Sequence, residues 1–111
     1  MRGMLAALAA LLLVPAAFAA PPEADVRFAT FNASLNRNFA GQLIADLSTP
    51  ANQQARNAAE TIQRVRPDVV LINEFDYDAA GVALRLFQDN YLSISQNGSV
   101  PIRYPYRFTA E

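Results

Sequence analysis

The stretch from Val69 to Asp78, Val-Val-Leu-Ile-Asn-Glu-Phe-Asp-Tyr-Asp, constrains the chain more than any other. Four consecutive apolar residues, Val69, Val70, Leu71 and Ile72, carry no period-two alternation. They predict a strand covered on both faces, as in a sheet with helices or another sheet on each side. The strand stops abruptly on Glu74, which places a carboxylate at the edge of a core. An unpaired buried charge is costly, so Glu74 is expected to meet a strong partner, either an arginine or a divalent metal ion.

The first nineteen residues read as a secretion signal and not as part of the fold. Met1-Arg2 supplies a positive start, Met4 to Val14 is a run of Ala, Leu, Met and Val, and Ala17-Phe18-Ala19 presents small residues where a signal peptidase cuts. The apolar run is short and alanine-rich for a transmembrane helix, which needs about 20 predominantly apolar residues. The protein is therefore expected to be exported, periplasmic or extracellular, with no stable membrane span. Residues 20–25, with Pro21-Pro22, form an extended lead-in, and residues 26–111 a single small domain. The formal charge of −1 lacks the basic excess that marks a nucleic-acid surface. With no cysteine, the core must hold without disulfides.

Within that domain, Val26 to Asn32 alternates and predicts a first strand ending on the polar break Asn32-Ala33-Ser34. Phe39 to Leu47 has Leu43, Ile44 and Leu47 at helical spacing and predicts a short helix or an ordered loop. Ser48-Thr49-Pro50 reads as a helix start, with Thr49 as N-cap and Pro50 in the first position. From there Ala51, Ala55, Ala58, Ala59, Ile62 and Val65 share one face, with Arg56, Glu60 and Arg64 opposite at four-residue spacing. Pro67 ends this helix. Asp78 is placed to cap a second helix over 79–90, with Ala83, Leu86, Phe87 and Tyr91 as its buried stripe. Leu92 to Ser95 could begin another extended stretch, Asn97-Gly98 marks a turn, and Tyr106 to Thr109 alternates like a beginning strand.

Strand, helix and strand in this order make a βαβ unit, which predicts two parallel strands in one sheet. Asn32 and Glu74 then share the carboxyl end of the sheet, where open α/β sheets bind their ligands.

With these strand ends in view, the chain resembles the amino-terminal part of the endonuclease/exonuclease/phosphatase superfamily, in its exported bacterial branch. The resemblance rests on Thr30-Phe31-Asn32 closing the first strand and on Arg66-Pro67-Asp68-Val69-Val70 leading into the second. Asn73-Glu74-Phe75-Asp76 closes that strand, and Tyr104-Pro105-Tyr106 follows. It implies an α/β fold, the N-terminal βαβα part of a four-layer α/β/β/α sandwich, and a metal-dependent phosphoesterase hydrolysing phosphodiesters or phosphomonoesters. By the same resemblance Glu74 would be a ligand of the catalytic Mg²⁺, with Mn²⁺ as a substitute, and Asn32 would hold the metal or a phosphate oxygen. Mg²⁺ suits one or two carboxylates with several waters and substrate phosphate. The family completes its site with histidine, Asp and Asn residues from later in the domain, and this sequence contains no histidine. Asn73 stands where the family commonly has glutamine. The chain as given is thus expected to be a fragment that is not catalytically competent.

Several other side chains have readings of both kinds. Asn32 could be a turn residue satisfying its own backbone, and Glu74 a solvated or arginine-paired acid. Asp76 and Asp78 alternate after Glu74 as in an acidic calcium loop, without the glycine and distal glutamate of an EF-hand. Arg103 and Arg107, among Tyr104, Tyr106 and Phe108, could grip phosphates and stack on bases, or belong to a strand with one buried face. The alternative to the enzyme is a small non-catalytic periplasmic α/β binding module. The substrate, whether DNA, RNA, sugar phosphate or lipid phosphate, and the oligomeric state are left open by these residues.

Overall fold

The computed structural model describes residues 18–111. All but the last two residues of the expected signal sequence lie outside the described residues. The chain is mixed α/β, with strand β1 (Phe28–Leu35), helix α1 (Gln42–Leu47), helix α2 (Gln53–Val65), strand β2 (Val69–Phe75), helix α3 (Val82–Phe87) and a π-helical turn over Gln88–Leu92. Among the described residues, no helix is long and apolar enough to cross a membrane.

β1 and β2 form a two-stranded parallel sheet, with Phe28 opposite Val69 and Asn32 opposite Asn73. The strands start together because Asp68 pins them. Its carboxylate accepts from Arg27 N at 2.7 Å, and Asp68 N and Val69 N donate to Arg27 O at 2.8 and 3.1 Å. β1 consequently begins two residues later than its alternation predicts and continues to Leu35. Inside it, Ala29, Phe31, Ala33 and Leu35 alternate toward the covered side.

The helices gather over one side only. Leu35, Leu43, Leu47, Ala55, Ala59, Ile62, Phe87 and Tyr91 make the core, with Phe31, Ile72 and Phe75 packed against it. Phe75 meets Phe87 at a ring separation of 5.7 Å, and Phe87 lies over Tyr91 at 6.0 Å. The expectation that β2 is covered on both faces does not hold. Val69 is 49 % exposed and Leu71 59 %, beside Phe28 at 73 % on the neighbouring strand. Only Val70 and Ile72 turn toward α2, because no second layer lies on the other face among the described residues.

α2 starts three residues beyond the expected Thr49 cap. Asn52 is the N-cap, its side chain accepting from Ala55 N at 3.0 Å. Tyr91, fully buried, decides this: its hydroxyl donates to Thr49 O at 2.5 Å and accepts from Asn52 N at 3.1 Å. Thr49 and Pro50 are thereby held in a turn outside the helix. The expected buried face is correct at Ala55, Ala58, Ala59 and Ile62, but Ala51 and Val65 are exposed and Gln63 is buried. The Gln63 amide donates to Leu92 O and Ile94 O at 3.0 and 2.7 Å, and its carbonyl accepts from Gln96 N at 3.1 Å. Gln63 thus satisfies a buried loop whose backbone has no sheet to pair with. Arg64 pairs with Glu60 at 2.7 Å, holding the Glu60 carboxyl below its usual range, while Arg56 turns to Gln96 instead.

Gly81 occupies the N-cap position of α3, and Asp78, three residues ahead, supplies the capping carboxylate, accepting from Val82 N at 2.7 Å and Ala83 N at 3.0 Å. The helix begins at Val82 and not at 79, since Gly81 bends the chain with φ of 64°. Leu92 closes the π-helical turn in place of starting a strand. The segment after Ile102 forms no strand, and Tyr106 and Phe108 are almost fully exposed. No strand among the described residues pairs with that segment, which is tied down only as far as Tyr104, whose N–H donates to Gln88 Oε1 at 2.9 Å.

Candidate functional site

The carboxyl ends of β1 and β2 meet where the ladder loses its register. Asn32 faces Asn73, but the next pair is Leu35 with Phe75, so two residues of β1, Ala33 and Ser34, oppose the single residue Glu74 of β2. Such a bulge redirects side chains at a strand end. Here it acts through Glu74, whose φ of 52° lies in the left-handed region, as does that of Ser34 at 50°. Simple alternation would turn Glu74 to the covered side with Val70 and Ile72. Instead Asn73 and Glu74 are both exposed, and the half-buried face resumes at Phe75. A non-glycine residue held in this region costs on the order of 1–3 kcal/mol and is found preferentially at ligand and active sites.

Glu74 is therefore not the buried acid that its sequence position suggests. It reaches solvent, and none of the ion pairs among the described residues involves it: these join Arg37 to Asp46, Arg64 to Glu60, and Arg85 and Arg103 to Asp89. The arginine alternative for its partner has no support in the geometry. Asn32 adopts the turn role that asparagine readily fills, its Oδ1 accepting from Ser34 N at 3.0 Å and Ser34 Oγ at 3.3 Å. That contact fixes the direction of the amide and supports Ser34 in its strained conformation. Both lone pairs of this oxygen are thereby engaged, and the Nδ2 group, a donor, is the part of the amide left to meet an anionic oxygen.

The two later aspartates have been put to other use. Asp76 accepts from Arg37 N with both carboxylate oxygens at 3.1 Å, and Asp78 caps α3. The backbone N–H of Ala83, and then that of Val82, hold the Asp78 carboxyl below its usual value against the opposing effect of burial. Neither points to a calcium loop. Arg37, which no sequence pattern marks, pairs with Asp46 of α1 at 2.7 Å. Gln54 donates to Ser34 O at 2.6 Å and links the start of α2 to the same strand end.

The arginine and aromatic group near the end of the chain does not assemble. Tyr104 turns inward and donates to Pro67 O at 2.8 Å, and burial pushes its hydroxyl pKa up. Arg103 approaches Asp89 at 3.7 Å, while Tyr106, Arg107 and Phe108 stand in solvent. A shallow concavity lies away from the strand ends, between β1 and α2, and its lining of Phe31, Ile62, Val65 and Val70 with their neighbours includes no titratable group. Among the described residues, no three or more His, Cys, Asp or Glu side chains converge to hold a metal ion. What the strand ends offer is one unpaired carboxylate beside one oriented amide. The chain matches no family model, no curated protein and no solved structure.

Proposed function

We propose that the chain is the N-terminal portion of an exported, metal-dependent phosphoesterase, with Glu74 as the carboxylate ligand of Mg²⁺ and Asn32 as its neighbour at the site. The observation that supports this best is the exposure of Glu74, turned out of the covered face in a strained conformation and left without a cationic partner among the described residues. The donor set suits the ion, because Mg²⁺ takes one or two carboxylates and otherwise keeps water and substrate phosphate. Bound there, it would supply charge stabilisation to a phosphoryl group. The chain's own contribution is binding and orientation: Glu74 presents the negative charge, and Asn32, its oxygen held by Ser34, presents its amide N–H to a phosphate oxygen. With no histidine in the sequence and no cluster of three acids around Glu74 among the described residues, these residues form a half-site that binds without turnover.

Titration of the chain with Mn²⁺, followed by the electron paramagnetic resonance of the free ion, tests the reading. One weak site is expected in the wild type and none in Glu74→Gln. Equal binding by both proteins would refute the role of Glu74, and Mg²⁺-dependent phosphodiester hydrolysis by this chain would refute the half-site.

A second reading, a non-catalytic periplasmic binding module, is favoured by the apolar sheet face of Phe28, Val69 and Leu71. A wild type that binds no Mn²⁺ would put that reading first.

A further inference from the structure

The ladder stops enforcing alignment at the bulge, yet the two strand ends beyond it must be held together for Asn32 and Glu74 to act as one site. Asp76 holds them. Its carboxylate accepts from Arg37 N through both oxygens at 3.1 Å, and its own N–H donates to Leu35 O at 3.4 Å. The loop leaving β1 is thereby closed onto the residue following β2. The Arg37 side chain does not compete for this carboxylate, since Nε donates to Asp46 at 2.7 Å and Nη1 donates to Asn36 O at 2.9 Å. Asp76 is part-buried and lies two residues beyond Glu74. The clamp therefore spans the segment in which both Ser34 and Glu74 adopt left-handed backbone. Strained residues persist only where their surroundings over-determine them.

From this we infer that Asp76 is a positioning residue: closed on the Arg37 N–H, it fixes the loop after β1 against the end of β2 and so sets Asn32 and Glu74 relative to each other. Its relevance to metal binding rests on the proposed role of Glu74, but the clamp itself does not. An acceptor is all that the Arg37 N–H requires, so Asp76→Asn, which keeps one carbonyl oxygen, retains the clamp, whereas Asp76→Ala removes it.

The test uses the ¹⁵N-labelled chain and its Asp76→Ala and Asp76→Asn variants. In Asp76→Ala the Arg37 amide should lose its protection from hydrogen exchange. The amide signals of Asn32, Ser34 and Glu74 should shift, while those of the core residues Phe87 and Tyr91 stay in place. Asp76→Asn should restore the wild-type pattern. Mn²⁺ affinity should fall about 10- to 100-fold in Asp76→Ala, as for other residues that orient metal ligands, and recover in Asp76→Asn. Unchanged Asn32 and Glu74 signals in Asp76→Ala would overturn the inference, as would an unchanged Mn²⁺ affinity. If the wild type binds no Mn²⁺, the metal reading fails separately, and the amide signals still decide whether Asp76 positions the strand ends.

Discussion

Replacing Glu74 by glycine separates a residue kept for the fold from one kept for a ligand. The side chain is exposed and takes part in none of the ion pairs among the described residues, so its removal breaks no such contact. The backbone sits at φ 52°, where a Cβ costs on the order of 1–3 kcal/mol that glycine does not pay. Against this gain, glycine adds freedom to the unfolded chain worth roughly 0.5–1 kcal/mol. The balance is a stabilisation of about 1 kcal/mol. At an m-value of about 1–3 kcal/mol/M, the urea midpoint should rise by roughly 0.3–1 M with no change in slope. Glu74→Ala removes the same charge but keeps the Cβ, and should stay within about 0.5 kcal/mol of wild type. Both variants should lose the Mn²⁺ site. A fall in the midpoint of Glu74→Gly would show that Glu74 makes a contact the fold depends on, and the argument from an unpaired, strained acid would fail.

Three further outcomes follow from the same structure. Tyr91→Phe leaves Thr49 O and Asn52 N without their buried partner, at a cost of about 2 kcal/mol. That corresponds to a melting temperature lower by about 8–16 °C, and a calorimetric shift under a few degrees would contradict the account of where α2 begins. The Asp78 carboxyl is held below its ordinary value of 3.8 in the folded protein. Its contribution is therefore complete above that value and is lost as pH falls through the lower folded value. Urea midpoints for wild type and Asp78→Asn should differ at neutral pH and converge in strong acid, and a gap that persists there would count against it. The double variant Phe28→Ser, Leu71→Thr should keep its urea midpoint within the equivalent of about 0.5 kcal/mol, since both positions are exposed. The same variant should bind less of the dye ANS, and undiminished dye binding would show that these residues do not form the accessible apolar face.

The parts of the fold legible in the sequence are those fixed by local pattern: the parallel strand pair, the alanine face of α2, its end at Pro67, the Asp78 cap and the shared position of Asn32 and Glu74. The parts not legible depend on residues far apart in the chain. Thr49-Pro50 is a sound helix start in isolation, and only Tyr91, some forty residues later, moves the start to Asn52. Gln63 carries no local signal of burial, because the backbone carbonyls it binds belong to the loop from Leu92 to Ile94, some thirty residues later. The left-handed residues at the site are not glycines, so nothing in the sequence announces them. Without them Glu74 would be assigned to the covered face, and its exposure could not be foreseen.

The apolar run in β2 carries one more consequence for the site. Alternation puts Phe28, Thr30 and Asn32 on the open face of the sheet, opposite Val69, Leu71 and Asn73 in register. The exposed apolar surface and the polar strand ends are one continuous strip, with the apolar part leading directly into Asn32, Asn73 and Glu74. A layer lying on Phe28 and Leu71 would therefore border the candidate site and keep water from one side of it. Electrostatic interactions strengthen as the local dielectric falls. The same covering that would make the run Val69 to Ile72 reasonable as a strand buried on both faces would also strengthen the hold of Glu74 on a cation. Variants at Leu71 should then alter Mn²⁺ affinity only when that face is covered, and leave it unchanged in the chain as it stands.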